Sequence, residues 1–125
     1  MDYSEFQKYY EAFAGQRYQE YMKLPENRLI QLAENHQWDD TFQLWKAIKE
    51  KGTEKSIFVL LDFVSNLSND YLARYHACDA LFHLAGINDE EFKGMVQYGR
   101  NREKEKIDQE TAIKRLKKMI ADLIN

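Results

Sequence analysis

His76, Asp79 and His83 are the residues of this chain whose types and spacing first suggest chemistry. Steps of three and four along a helix bring all three within an arc of about 60° on one face. Imidazoles and a carboxylate on adjacent turns can hold a divalent metal such as zinc, or pass a proton. A zinc site also needs a further ligand, and its histidines need partners that orient them. The sequence supplies no recognisable member of that set. A metal-dependent protein or enzyme built on His76, Asp79 and His83 is therefore the alternative expectation, and no cofactor or metal is assigned. Familiar catalytic spacings are missing too: the five glycines make no G-x-G-x-x-G or P-loop, and neither G-x-S-x-G nor H-E-x-x-H occurs.

The same face carries a second expectation. If Ala73, Ala77, Ala80, Leu81 and Leu84 point into a core, then Tyr75, His76, Asp79, Phe82 and His83 point the other way, together with Leu72. Large aromatics do not suit a solvated helix. Either another helix of the chain covers them, the aromatic N-terminal one being the candidate, or they form a partner-binding patch of hot-spot composition. Tyr75, His76, Asp79, Phe82 and His83 are accordingly the expected partner-binding residues. Tyr9, Tyr10, Trp38 and Trp45 can in principle stack on bases, but aromatic stripes at helical spacing are expected in the core.

Charge is divided along the chain. Residues 100 to 125 hold eight Lys or Arg against five Asp or Glu, a balance of +3, whereas residues 1 to 99 hold ten against sixteen, a balance of -6. Lys114, Arg115 and Lys118 project away from the apolar side of the last helix and offer a contact for phosphate or an acidic partner. A solvated face is the expected role for this ridge, so nucleic-acid binding stays an alternative.

Stepping along the chain, each segment has helical spacing. The single proline and the few glycines leave little turn punctuation. Ser4 is an expected N-cap for a helix faced by Phe6, Tyr9, Tyr10 and Phe13, with an interruption at Gly15 and a further piece through Tyr18 and Tyr21. Pro25 at the first helical position opens a helix to about Asn35, with Leu29, Ile30, Leu32 and Ala33 inward. Asp39 and Asp40 are expected in the first turn of a third helix striped by Trp38, Phe42, Trp45 and Ile48 and ended by Gly52. Thr53 caps a fourth helix through Leu67, apolar on two sides, and Asp70 opens a fifth that stops at Gly86. Asn88-Asp89 opens a sixth, and an amphipathic C-terminal helix at about 105 to 124 places Ile113, Leu116, Ile120, Leu123 and Ile124 on one side. The expected fold is all-α, one domain over residues 1 to 125, with six to seven helices in antiparallel pairs.

Within it, Asp70 precedes Arg74 by four residues, and Ala77-x-x-Ala80-Leu81-x-x-Leu84 follows. Residues 53 to 87 resemble a HEAT or HEAT-like helical repeat in this pattern. The resemblance implies a right-handed stack of helix pairs, with an irregular helical bundle as the other possibility, and an arginine that reaches a carboxylate or carbonyl of the inter-helix loop. It also implies a role in presenting helix faces to other proteins. The main expectation is thus a non-enzymatic protein-binding module. A narrower form is a small cytoplasmic inhibitor or toxin-immunity protein, whose acidic N-terminal two-thirds would meet a basic partner. A soluble, cytoplasmic chain is expected because one cysteine forms no internal disulfide, no apolar run spans a membrane, and the N-terminus lacks the basic-then-apolar order of a secretory signal.

Overall fold

The computed structural model describes residues 2 to 99 and 102 to 124, with side chains of 102 to 107 left aside. Among the described residues the chain is all-α: α1 (Tyr3–Met22), α2 (Glu26–Glu34), α3 (Gln43–Lys51), α4 (Glu54–Ser65), α5 (Tyr71–Ala85), α6 (Glu90–Gln97) and α7 (Arg102–Ile124). Helices α4 and α5 make the most extensive pair. Helix α3 packs on α5, α2 bridges α3 and α4, α6 lies between α5 and α7, and α1 rests on α3.

Local chemistry explains most helix ends, and it departs from the sequence expectation at several of them. Asp2, not Ser4, caps α1 by accepting the Glu5 N–H at 2.9 Å. Gly15 does not interrupt α1, which runs on through Tyr18 and Tyr21; a mid-helix glycine costs only about 1 kcal/mol against alanine, and α3 supports the distal half. Pro25 sits one position earlier than expected, as the N-cap of α2. Asp39 and Asp40 precede α3 and lie outside its first turn. The Asp39 carboxylate nevertheless does the work expected of an anion there, taking the N–H groups of Gln43 at 3.1 Å and Leu44 at 3.0 Å. Between them Phe42 adopts a left-handed backbone at φ 59°, a strained conformation for a bulky residue.

Thr53 is the N-cap residue of α4, but its side chain makes no cap bond. Glu26 of α2 takes over: its carboxylate accepts the Thr53 N–H at 2.6 Å and the Ser56 hydroxyl at 2.6 Å. These bonds hold its carboxyl below the usual range although burial opposes ionisation. Gly52 is required where α3 passes into α4, because a Cβ there would meet Ile48 O at 2.6 Å and Leu84 Cδ1 at 2.7 Å. Asp70 and Asp89 cap α5 and α6 through the Ala73 and Phe92 N–H groups, and Gly86 closes α5 in the left-handed region at φ 70°. Helix α7 starts at Arg102, ahead of the expected boundary.

The core combines aliphatic side chains and alanines with Trp45, Phe63, Phe82 and Phe92; Leu29, Leu44, Ile48, Leu60, Val64, Leu81, Val96, Leu116 and Ile120 are out of solvent. Each such side chain contributes about 1.5–3 kcal/mol through the water it leaves. Ala73, Ala77 and Ala80 let α5 approach its neighbours closely. Leu123, expected on the apolar side of α7, is exposed, as is Phe58 on the apolar α4.

Candidate functional site

Helix α5 is packed by different helices from the one anticipated: α3, α4 and α6 lie against it, while α1 packs chiefly on α3. The conformation at Phe42 lays its ring on His76, stacked at 4.9 Å and 17°. Tyr75 meets the same imidazole edge-on at 5.4 Å. His76 is half-buried, and burial pushes its pKa down against the opposing pull of Asp79 and Asp39, which favours the neutral ring. One turn on, the Asp79 carboxylate is held between two ammonium groups, Lys49 Nζ at 3.0 Å and Lys93 Nζ at 3.0 Å, and Lys93 also reaches Glu90 at 3.2 Å. Burial raises the Asp79 pKa, but the two lysines outweigh it and hold the carboxyl below its ordinary value.

A groove of about 240 Å³ between α3 and α5 is lined by Phe42, Lys46, Lys49, His76 and Asp79 among others. Tyr75 stands partly exposed at the N-terminal end of this surface and His83 is exposed one turn beyond Asp79. Phe82 belongs elsewhere. It is buried against Phe92 of α6 at 5.5 Å, because α6 supplies a second apolar surface to α5. The expectation that Phe82 faces outward is corrected: Phe82 is a core residue. Nor do His76, Asp79 and His83 converge as a ligand set. Both Asp79 oxygens hold lysines, His76 stacks beneath Phe42, and among the described residues no three His, Cys, Asp or Glu side chains are grouped so as to hold a metal ion.

Arg74 reaches carbonyls in the last turns of two helices and not, as the resemblance implied, a group of the inter-helix loop. It is buried, and its Nε and Nη2 donate to Val64 O at 3.0 and 2.8 Å, with Nη2 also 3.4 Å from Val96 O. The guanidinium thus closes the C-terminal ends of α4 and α6, where helix dipoles favour a cation. Cys78 is buried behind it, its thiol pushed up to about 12 by burial, which leaves it unreactive. Trp38 and Trp45 pack with Phe63, at 5.5 and 4.8 Å, and so offer no open platform for bases. Lys114, Arg115 and Lys118 are exposed on α7, and the Arg115 guanidinium lies over the Phe92 ring at 4.3 Å.

The conspicuous surface is one that sequence reasoning assigned to the core. Helix α1 buries no residue. Its C-terminal half is anchored: Lys46 lies over the Tyr18 ring at 4.9 Å, Lys51 donates to Met22 O at 3.0 Å and to Leu24 O, and the Tyr21 hydroxyl, its pKa raised to about 12 by burial and by Asp39, hydrogen-bonds that carboxylate. The N-terminal half stands bare, with Tyr3 79%, Phe6 57%, Tyr9 70%, Tyr10 47% and Phe13 42% exposed. A signal for this was present in the sequence. Residues 3 to 21 contain no Leu, Ile or Val, so the stripe lacks the aliphatic residues that fill every other helix–helix seam of this chain. Compared with protein-family models, with curated proteins and with solved structures, the chain matches none.

Proposed function

We propose that this chain is a non-enzymatic protein-binding module whose docking face is the aromatic side of α1. The observation that carries the reading is the contrast within that helix, anchored on α3 from Tyr18 onward and bare from Tyr3 to Phe13. Rigid aromatics on a projecting, pre-formed helix have the composition of binding hot spots and lose little conformational freedom when covered. Residues 53 to 87 support a binding role as a HEAT-like unit, with Asp70 as cap, Arg74 as the tie between α4 and α6, and alanines along the shared seam. The narrower form is a cytoplasmic inhibitor of the toxin-immunity kind. It draws support from the balance of -6 over residues 1 to 99, which speeds encounter with a basic partner at low salt. Tyr75, His76, Asp79 and His83 then form a secondary contact along the α3–α5 groove.

A photo-activatable side chain placed at Tyr10 tests the docking face, with the same group at the exposed Phe58 of α4 as the control. The expected result is a discrete cross-linked product from position 10 and none from position 58. Labelling that is equal at both positions, or absent from both, would sink the assignment to α1.

A further inference from the structure

Deepening the reading of α1 as the docking helix, we propose that its aromatic face pairs with the same face of a second copy of this chain, the two helices running antiparallel. Tyr3, Phe6, Tyr10 and Phe13 follow one another at steps of three, four and three, which is the spacing of a coiled-coil seam. The flanking positions of such a seam set partner choice through their charges. Within the helix they are Gln7, Tyr9, Ala14 and Gln16, all uncharged, with the cap residue Asp2 at the outer end of the seam, while Glu5, Lys8 and Glu11 fall on the remaining positions. Two identical antiparallel copies therefore set Asp2 against Ala14 and meet without like-charge repulsion, and between the ends of the seam a strongly charged partner finds nothing to pair with. A lipid surface is disfavoured by the same residues. Interfacial helices carry Lys and Arg on the polar side, whereas the exposed half of α1 has Lys8 alone against Asp2, Glu5 and Glu11.

The area fits as well. At about 200 Å² for each large aromatic, the exposed parts of Tyr3, Phe6, Tyr9, Tyr10 and Phe13 amount to roughly 600 Å² per chain, and twice that for a pair reaches the lower end of specific interfaces at about 1,200 Å². Direction follows from the way α1 joins the rest of the fold. The free seam is about 15 Å long and ends where Tyr18 meets α3. Parallel helices would bring both helical bodies to the same end, where they collide. Antiparallel helices place them at opposite ends, align the helix dipoles favourably, and set Tyr3 against Phe13 and Phe6 against Tyr10 of the other copy about a two-fold axis. So small an interface makes a reversible dimer.

Sedimentation of the full chain over a range of concentrations tests the pairing. The expected result is a rise from 15.0 kDa towards twice that mass, with Phe6→Glu and Tyr10→Glu each weakening the dimer by about tenfold or more, while the thermal transition taken at a concentration low enough for every chain to be monomeric stays in place. Orientation is read by disulfide trapping: a mixture of Tyr3→Cys and Phe13→Cys chains cross-links, and Tyr3→Cys alone does not. A wild-type chain that stays monomeric to millimolar concentration, a dimer indifferent to Phe6→Glu, or trapping of Tyr3→Cys with itself would each overturn the proposal. The photo-cross-link at position 10 separates this failure from that of the docking reading. A product of two copies supports both, a product with a different protein from a monomeric chain overturns only the self-pairing, and no product overturns both.

Discussion

Helices α1 and α5 are both rich in aromatic residues, and they end up in opposite circumstances. Helix α5 packs against α3, α4 and α6, leaving Tyr71, Leu72, Tyr75 and His83 exposed, and several of its polar residues are enlisted: Arg74 ties two helix ends, Asp79 holds two lysines and His76 lies beneath a phenylalanine. Helix α1 packs chiefly on α3 and leaves its first three turns bare. The difference lies less in aromatic content than in what accompanies it. Alanines at 73, 77 and 80 allow three neighbours to close around α5, whereas α1 carries Gln, Glu and Lys between its rings and offers a narrow seam with room for one neighbour.

The comparison breaks most visibly by truncating one ring on each helix. Phe82→Ala, which empties the contact with Phe92, is expected to cost about 3–5 kcal/mol of stability, and Phe6→Ala less than about 0.5 kcal/mol, both measured by denaturant unfolding at a concentration where the chain is monomeric. Similar costs for the two would mean that α1 is covered within a single chain. Replacing Arg74 with Met comes next. It keeps much of the side-chain volume but strips Val64 O of the Arg74 donors and leaves Val96 O to Gln109 Nε2, for an expected loss of about 2–3 kcal/mol. Were the variant as stable as the wild type, the tie between α4 and α6 would be incidental.

Smaller effects come from pH. Burial holds the folded pKa of His76 below its unfolded value, so the neutral ring's contribution is present above about pH 6.5 and is lost as pH falls from there towards the folded pKa. His76→Gln should flatten the stability profile in that range and leave the carboxylate-driven fall intact. Asp39, Asp79 and Glu26 are also held below their ordinary values in the folded chain, against the opposing effect of burial. Their contribution is present above about pH 4 and lost at more acid pH, as these carboxylates take up protons. Asp79→Asn should reduce that loss by no more than about 1 kcal/mol, because the Asp79 side chain is 40% exposed and its ion pairs are screened. A stability curve that is flat from pH 7 to pH 3 would contradict both readings.

Much of the fold was legible because helix signals are local. The caps at Asp70, Asp89 and Gly86 and the apolar spacing of α2, α4 and α7 act within one turn of the chain. The candidate site was legible only in part. Tyr75, His76, Asp79 and His83 do share a side of α5, as steps of three and four require, but nothing near them in sequence indicated that Phe42, Lys49 and Lys93 would occupy them. Phe82 looked outward-facing until α6 was in place. The bare half of α1 was misread because burial is decided by neighbours, and periodicity only says which residues share a face.

By itself the sequence determined the helical class, most helix boundaries and the composition of each face, since these follow from backbone hydrogen bonding and side-chain spacing over four residues or fewer. The tertiary structure alone decided which faces are covered. Glu26 capping α4 from 27 residues away, Arg74 bridging to Val96 across 22, and Tyr3 to Phe13 left in solvent all depend on which helices come to lie side by side, and long-range packing sets that.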